Sequence, residues 1–126
     1  MQASSSESEE TLSVEELIRR YADAAREHAA ASESGDFRTA NRAHDRITRI
    51  HHVLYERGAA AQRELRTLLQ HDEASVRLWA ALHSLAVAPA EAEAVLEEIA
   101  GGAPSLLRLS AEMTLSEWRS GQLRIS

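Results

Sequence analysis

Six histidines in a chain of 126 residues, with no cysteine and no lysine, set the side-chain chemistry open to this sequence. Imidazole is the commonest metal ligand and general base, so the spacing of these residues is the first test. His51 and His52 are adjacent and diverge by about 100° around a helix, which keeps them from sharing an ion. His44 and His51 are seven apart, on one helix face but about 10 Å apart along the axis at a rise of about 1.5 Å per residue. In an antiparallel hairpin His28 is expected opposite Ala40 and His44 opposite Ala24, so these rings do not converge. No Glu-x-x-His pair and no His-Glu-x-x-His pattern occurs, and the expectation is no metal residue, with the histidines as core or rim groups.

Other catalytic pairings fare no better. Ser84 adjoins His83, but there is no nucleophile elbow, and neighbours on a helix face apart. Glu91 and Glu93, like Glu97 and Glu98, fall on the outer side of an alanine- and valine-rich helix and read as a solvated face. Glu112 lies among small and apolar residues, where it is expected to pair with Arg77 or Arg108. Without lysine there is no Schiff base or P-loop lysine, and without cysteine no thiolate nucleophile. The chain is expected not to be an enzyme, with no catalytic residue and no cofactor.

The charge pattern points elsewhere. The net charge is −6, yet residues 37–71 carry seven arginines against three acidic groups. Arg38, Arg42 and Arg46 recur every fourth residue, with Arg49 beside them. Such a stripe either meets Glu27, Glu33 and Asp45 of its own chain or forms a partner-binding surface, since arginine fits carboxylates bidentately. Nucleic acid is not the expected partner: the overall charge repels a phosphate backbone, and Phe37 and Tyr55 are the only rings on this helix for stacking. A membrane surface is not expected either, because the amphipathic faces are needed for the core.

The elements that must position these groups are helices. Hydrophobic residues make up 44% of the chain, with two prolines and five glycines; that is core enough for one domain and too few turn residues for a sheet-rich fold. Val14, Leu17, Ile18, Tyr21, Ala24 and Ala25 share a helical face behind the Ser13/Glu16 capping box, and this helix is expected to end near Ala31. Asp36 caps a second helix with Ala40, Ile47, Ile50 and Leu54 inward, stopped at Gly58. Four shorter helices follow: Ala60 to Gln70, one capped by Asp72 and running through Leu85, one opened by Pro89 and stopped at Gly101, and one opened by Pro104 and running to about Ser120. The acidic, low-complexity residues 1–12 read as a disordered N-terminal tail, 13–121 as a single domain and 122–126 as a C-terminal tail. No apolar run is long enough for a signal core or a membrane span, and a cytoplasmic location is expected.

A weak repeat of 31 residues fixes the expected architecture. It lays Val76-Arg77-Leu78 on Leu107-Arg108-Leu109, Ala80 on Ala111, Leu82 on Met113, Leu65 on Leu96 and Leu68 on Ile99. Each unit is a helix, a turn and a helix, the content of stacked helical pairs. The expected fold is all-α, a HEAT-like α-α superhelix of about six helices.

The runs Val76-Arg77-Leu78-Trp79-Ala80-Ala81, Ser110 to Trp118 and Asn41-Arg42-Ala43-His44-Asp45 resemble a small bacterial, HEAT-like helical family of unknown function, DUF2019. The similarity spans roughly Val14 to Gly121. It implies the helical fold and carries no catalytic or binding residue with it.

Residues spent on packing, with no convergent polar set, describe a non-enzymatic protein-protein interaction module. The alternatives are an immunity- or antitoxin-like protein that covers a toxin's basic site with acidic surface, or a structural homodimer formed through an unsatisfied end face. For the interaction module the arginine stripe Arg38, Arg42, Arg46 and Arg49 is the candidate contact surface, met by an acidic partner.

Overall fold

The turn between the first two helices governs the rest of the molecule. The structure, a computed structural model, describes residues 9–123. Helix α1 (Val14–Ser34) starts as its sequence requires, with the Ser13 hydroxyl oxygen accepting the Glu16 amide at 3.1 Å. It runs a full three residues past Ala31, because Gly35 closes it at φ +80°, a left-handed conformation that glycine adopts without Cβ strain. The amides of Gly35 and Asp36 then donate to the Ser32 and Ala31 carbonyls at 3.3 and 2.9 Å.

Asp36 immediately caps α2 (Phe37–Glu56): one carboxylate oxygen accepts the Thr39 amide at 3.2 Å and the other its hydroxyl at 2.7 Å. Those bonds, helped by Arg42, hold the Asp36 carboxyl below its usual range. A two-residue link leaves α2 no course but to pack back along α1. The buried row of α1 is Leu17, Tyr21, Ala24 and Ala25, and that of α2 is Ala40, Ala43, Ile47, Ile50 and Leu54. Alanines on both sides let the backbones approach, while each fully buried leucine or isoleucine contributes about 1.5–3 kcal/mol.

Beyond Gly58 the chain forms α3 (Ala59–Arg66), which tightens into a 3₁₀ turn over Thr67–Gln70, then α4 (Ala74–Ser84), α5 (Pro89–Ala100) and α6 (Leu106–Arg119). Two starts differ from expectation. Asp72 does not cap α4: the cap position is Glu73, with no side-chain bond. Instead Arg77, in the first turn, reaches back and donates to the His71 and Asp72 carbonyls at 2.6 and 3.0 Å, while His71 Nδ1 accepts the Glu73 amide at 3.0 Å. Helix α6 opens after Pro104 because the Ser105 hydroxyl oxygen caps it, accepting the Arg108 amide at 3.0 Å.

Helix α1 is the central element, touching α2, α3, α4 and α6, and α4 packs on α1, the 3₁₀ turn, α5 and α6. One apolar cluster joins Leu17 on α1 to Leu115 on α6. Among the described residues there is no strand, so the fold is all-helical as expected. The expected tails lie mainly outside the described residues, at 1–8 and 124–126. Their described parts are packed: residues 9–11 are helical, Leu12 and Leu123 rest on the core, and Glu9 is buried. Arg49 supplies the counter-charge that makes burial of Glu9 tolerable.

Candidate functional site

The extra three residues of α1 have a chemical consequence. They shift the pivot of the hairpin, so that His44 comes opposite the Glu27-His28 pair and not opposite Ala24. The His28 and His44 rings lie 6.4 Å apart, and both set their edges against Trp79, at 5.2 and 5.6 Å. The expectation that these histidines stay apart is therefore overturned, and its cause is the misplaced end of α1. Trp79 continues to His83 at 5.9 Å; His83 stacks on His51 at 3.9 Å with the rings within 4° of parallel; His51 adjoins His52 at 6.0 Å. Five histidines and one tryptophan from α1, α2 and α4 thus form a continuous seam. Among the described residues no group of three or more histidine or acidic side chains is placed to hold a metal ion.

The seam is anchored from the core. Tyr21, fully buried on α1, lies with its hydroxyl 2.8 Å from Nδ1 of His83. Burial pushes the phenol well above its usual pKa and pushes His83 down to about 3, with His51, His44 and His52 adding like-charge repulsion. Both groups are neutral at pH 7. A buried hydroxyl hydrogen with no acceptor is costly, so Tyr21 donates and Nδ1 accepts; His83 then carries its proton on Nε2. Burial, and then His44, likewise lowers the His28 pKa.

At the far end of the seam a cavity of about 370 Å³ opens between the end of α2, α3 and the end of α4. Its polar lining residues are His51, His52, Tyr55, Gln62, His83 and Ser84, and Leu54, Leu65 and Val87 form part of its apolar wall. Ser84 is only 1% exposed, and its hydroxyl has no hydrogen-bond partner among the described residues. Sequence reasoning dismissed Ser84 and His83 as a catalytic pair, and no bond joins them here; what it missed is that both line one cavity. The available signal was the recurrence of His44, His51 and Tyr55 on one edge of α2, matched by Trp79 and His83 one turn apart on α4.

The arginine stripe is divided. Arg49 donates to the buried Glu9 carboxylate at 3.1 Å and Arg46 approaches Glu27 at 3.8 Å. Arg42 donates to the Thr39 hydroxyl at 3.3 Å, whereas Arg38 has no ion pair among the described residues. Glu112 pairs with Arg108 at 3.2 Å. The Trp118 indole donates to Glu93 at 2.8 Å, and Arg119 bridges Glu93 and Glu97, which raises the Arg119 pKa.

Fold and site together define an all-helical domain of packed helix pairs with a histidine seam leading to a cavity. The chain belongs to the family described as Domain of unknown function (DUF2019), whose model matches residues 15–118. The crystal structure of the protein RPA1889 from Rhodopseudomonas palustris CGA009 is similar to it, with a TM-score of 0.83 and 25% identity over 93% of this chain and 97% of that one. No curated protein matches the chain. Among the described residues no helix is long and apolar enough to cross a membrane.

Proposed function

We propose that the chain is a cytoplasmic, non-enzymatic helical module that binds another protein through the outer face of α6. The observation that carries this reading is a break in the internal repeat. At the equivalent positions Leu65 and Leu96, Leu68 and Ile99, and Ala80 and Ala111, both members are buried. On the outer face the equivalence fails: Leu78 of α4 is 9% exposed while its counterpart Leu109 is 51% exposed. Met113, the counterpart of the half-buried Leu82, is 54% exposed.

Leu106, Leu109 and Met113 fall at i, i+3 and i+7 and form one apolar stripe. In a HEAT-like stack this is where the next helical layer would lie, so α6 reads as an open end that a partner helix completes. A second copy of the chain is the alternative occupant, since a terminal helix can pair with itself across a two-fold axis. The absence of chemistry is supported by the seam itself: His83 is neutral, bonds a tyrosine and not a carboxylate, and activates no nucleophile. The stripe Arg38, Arg42, Arg46 and Arg49 is a lesser proposed contact, with Arg38 and Arg42 its available members.

The test compares the wild type with L109E/M113E, by sedimentation at several concentrations and by capture from host extract. A bound protein or a concentration-dependent mass that the double variant loses supports the reading. Equal capture and a constant monomer mass in both reject it. The same capture with R38E/R42E tests the arginines.

A further inference from the structure

The cavity at the end of the histidine seam is separate from the α6 face, and its chemistry is that of a neutral site. Its volume of about 370 Å³ lies toward the lower end of the range of about 300–1,000 Å³ in which small ligands are held. At about 30 Å³ for each water-sized group, that is room for about a dozen non-hydrogen atoms. Most of the surface facing it is apolar. Leu54 and Leu65 are buried residues of its wall, whereas Tyr55 and Val87, 61% and 50% exposed, stand at its mouth. Of the six large hydrophobic or aromatic side chains left exposed among the described residues, three form the α6 stripe and Phe37 follows the hairpin turn; the other two are these. A molecule in the cavity would cover both.

The wall sets the charge and the shape of that molecule. No aspartate, glutamate or arginine lines the cavity, so a charged guest would give up its hydration with no counter-charge to replace it. His83, part of the wall, is itself neutral at pH 7, since burial holds its pKa at about 3. The wall is also rich in rings. His51 and His83 stack 3.9 Å apart and within 4° of parallel, and with His52 and Tyr55 they make four of the ten lining residues. A flat guest gains offset-stacked or edge-to-face contacts with such rings, beyond the area it buries, and an aliphatic one of the same size does not.

We propose that this cavity binds a small uncharged aromatic molecule, a single or fused ring without an ionised substituent, packed against Leu54, Leu65, Val87 and the Tyr55 ring. Binding rests on the burial of apolar surface and on ring contacts, and involves no covalent step.

The test uses the full chain at neutral pH, with methyl and backbone amide resonances followed by NMR. The probes are indole and toluene, against benzoate and benzylamine as charged counterparts and cyclohexanol as an aliphatic one, each to millimolar concentration. Indole and toluene are expected to give saturable ring-current shifts of the Leu54, Leu65 and Val87 methyl groups. Benzoate, benzylamine and cyclohexanol are expected to bind at least about fivefold more weakly, the equivalent of about 1 kcal/mol. Tyr55→Ala and Val87→Asp change exposed side chains of the wall, so both variants are expected to keep the fold of the wild type, checked by their amide spectra, and to weaken indole about fivefold or more. The proposal is overturned by the absence of saturable shifts with both indole and toluene, by any of the three counterparts binding as tightly as they do, or by indole binding that survives both substitutions unchanged.

Discussion

Tyr21 and His83, 62 residues apart in sequence, hold their hydroxyl and Nδ1 2.8 Å apart where α4 crosses α1. This bond links the core to the histidine seam, and it makes the fold sensitive to acid. In the unfolded chain His83 takes up a proton near pH 6.5; in the folded chain burial, with His51, His44 and His52, holds its pKa at about 3. Between those values the unfolded state carries more protons, so stability is complete above pH 6.5 and falls as the pH drops toward 3. The slope from one such group is at most about 1.4 kcal/mol per pH unit, and His28, also lowered, acts in the same direction. Urea unfolding at a series of pH values between 7.5 and 4 measures it, and H83Q is expected to flatten the curve.

The same bond sets the cost of Tyr21→Phe. The ring still fills its place, but Nδ1 loses its donor, and the expected loss is about 1–3 kcal/mol at pH 7. Denaturant midpoints at constant m-value report this directly. A loss below a few tenths of a kcal/mol would show that the hydroxyl is dispensable.

Two glycines are expected to respond differently to substitution. Gly35 has φ +80° and ψ 13°, a left-handed conformation that asparagine tolerates, whereas Gly58 has φ +99° and ψ −171°, which is essentially glycine's alone. A Cβ meets no atom within 4 Å at either position, so the cost is backbone strain. Gly35→Ala is expected to cost about 1–2 kcal/mol and Gly35→Asn less. At Gly58 asparagine gives no such relief. Thermal unfolding of the four variants separates the cases.

The helices were legible because their ends carry local chemistry: Ser13 with Glu16, Asp36, Gly58 and Pro89 act where the sequence places them. The histidine seam was not. Ser32-Glu33-Ser34 reads as a connection because serine favours caps, yet the helix continues to the left-handed Gly35, and three residues of continuation decide whether His44 meets Ala24 or His28. The cavity is further from reach still. It depends on how α3 and the end of α4 close against α2, and no local pattern encodes a gap between three elements. The apolar face of α6 lies between these cases: the spacing of Leu106, Leu109 and Met113 is plain, but a helical stripe announces burial without saying whether its own chain provides the cover.

That distinction is measurable. Ile47 is fully buried between the helices of the first hairpin, so Ile47→Ala is expected to cost about 2–5 kcal/mol. Leu109→Ala, of the same class, is expected to change the stability of the monomer by no more than about 0.5 kcal/mol. Unfolding at low protein concentration checks both. A large loss at Leu109 in the monomer would mean that the α6 face already serves the fold of the single chain.

Glu9 and Arg49 present the opposite balance, a buried carboxylate held by a half-exposed guanidinium. Glu9 is 2% exposed, its Oε1 accepts from Arg49 Nε at 3.1 Å, and the next residue's carbonyl accepts from Arg57 at 2.9 Å. Removing the arginine strands a charge in a place with little access to water, whereas neutralising the acid leaves only an exposed cation free to hydrate. Because the guanidinium end reaches solvent, the coupling is smaller than for a fully buried pair. Arg49→Ala is expected to cost about 1–3 kcal/mol, Glu9→Gln less, and Arg49→Ala in the Glu9→Gln background close to nothing. The double-mutant cycle therefore predicts a coupling of about 1 kcal/mol or more. Additive single costs would mean that water, and not Arg49, satisfies the carboxylate, and that the segment before α1 is held by contacts such as Leu12 on the core and the Arg57 bond to the Glu10 carbonyl.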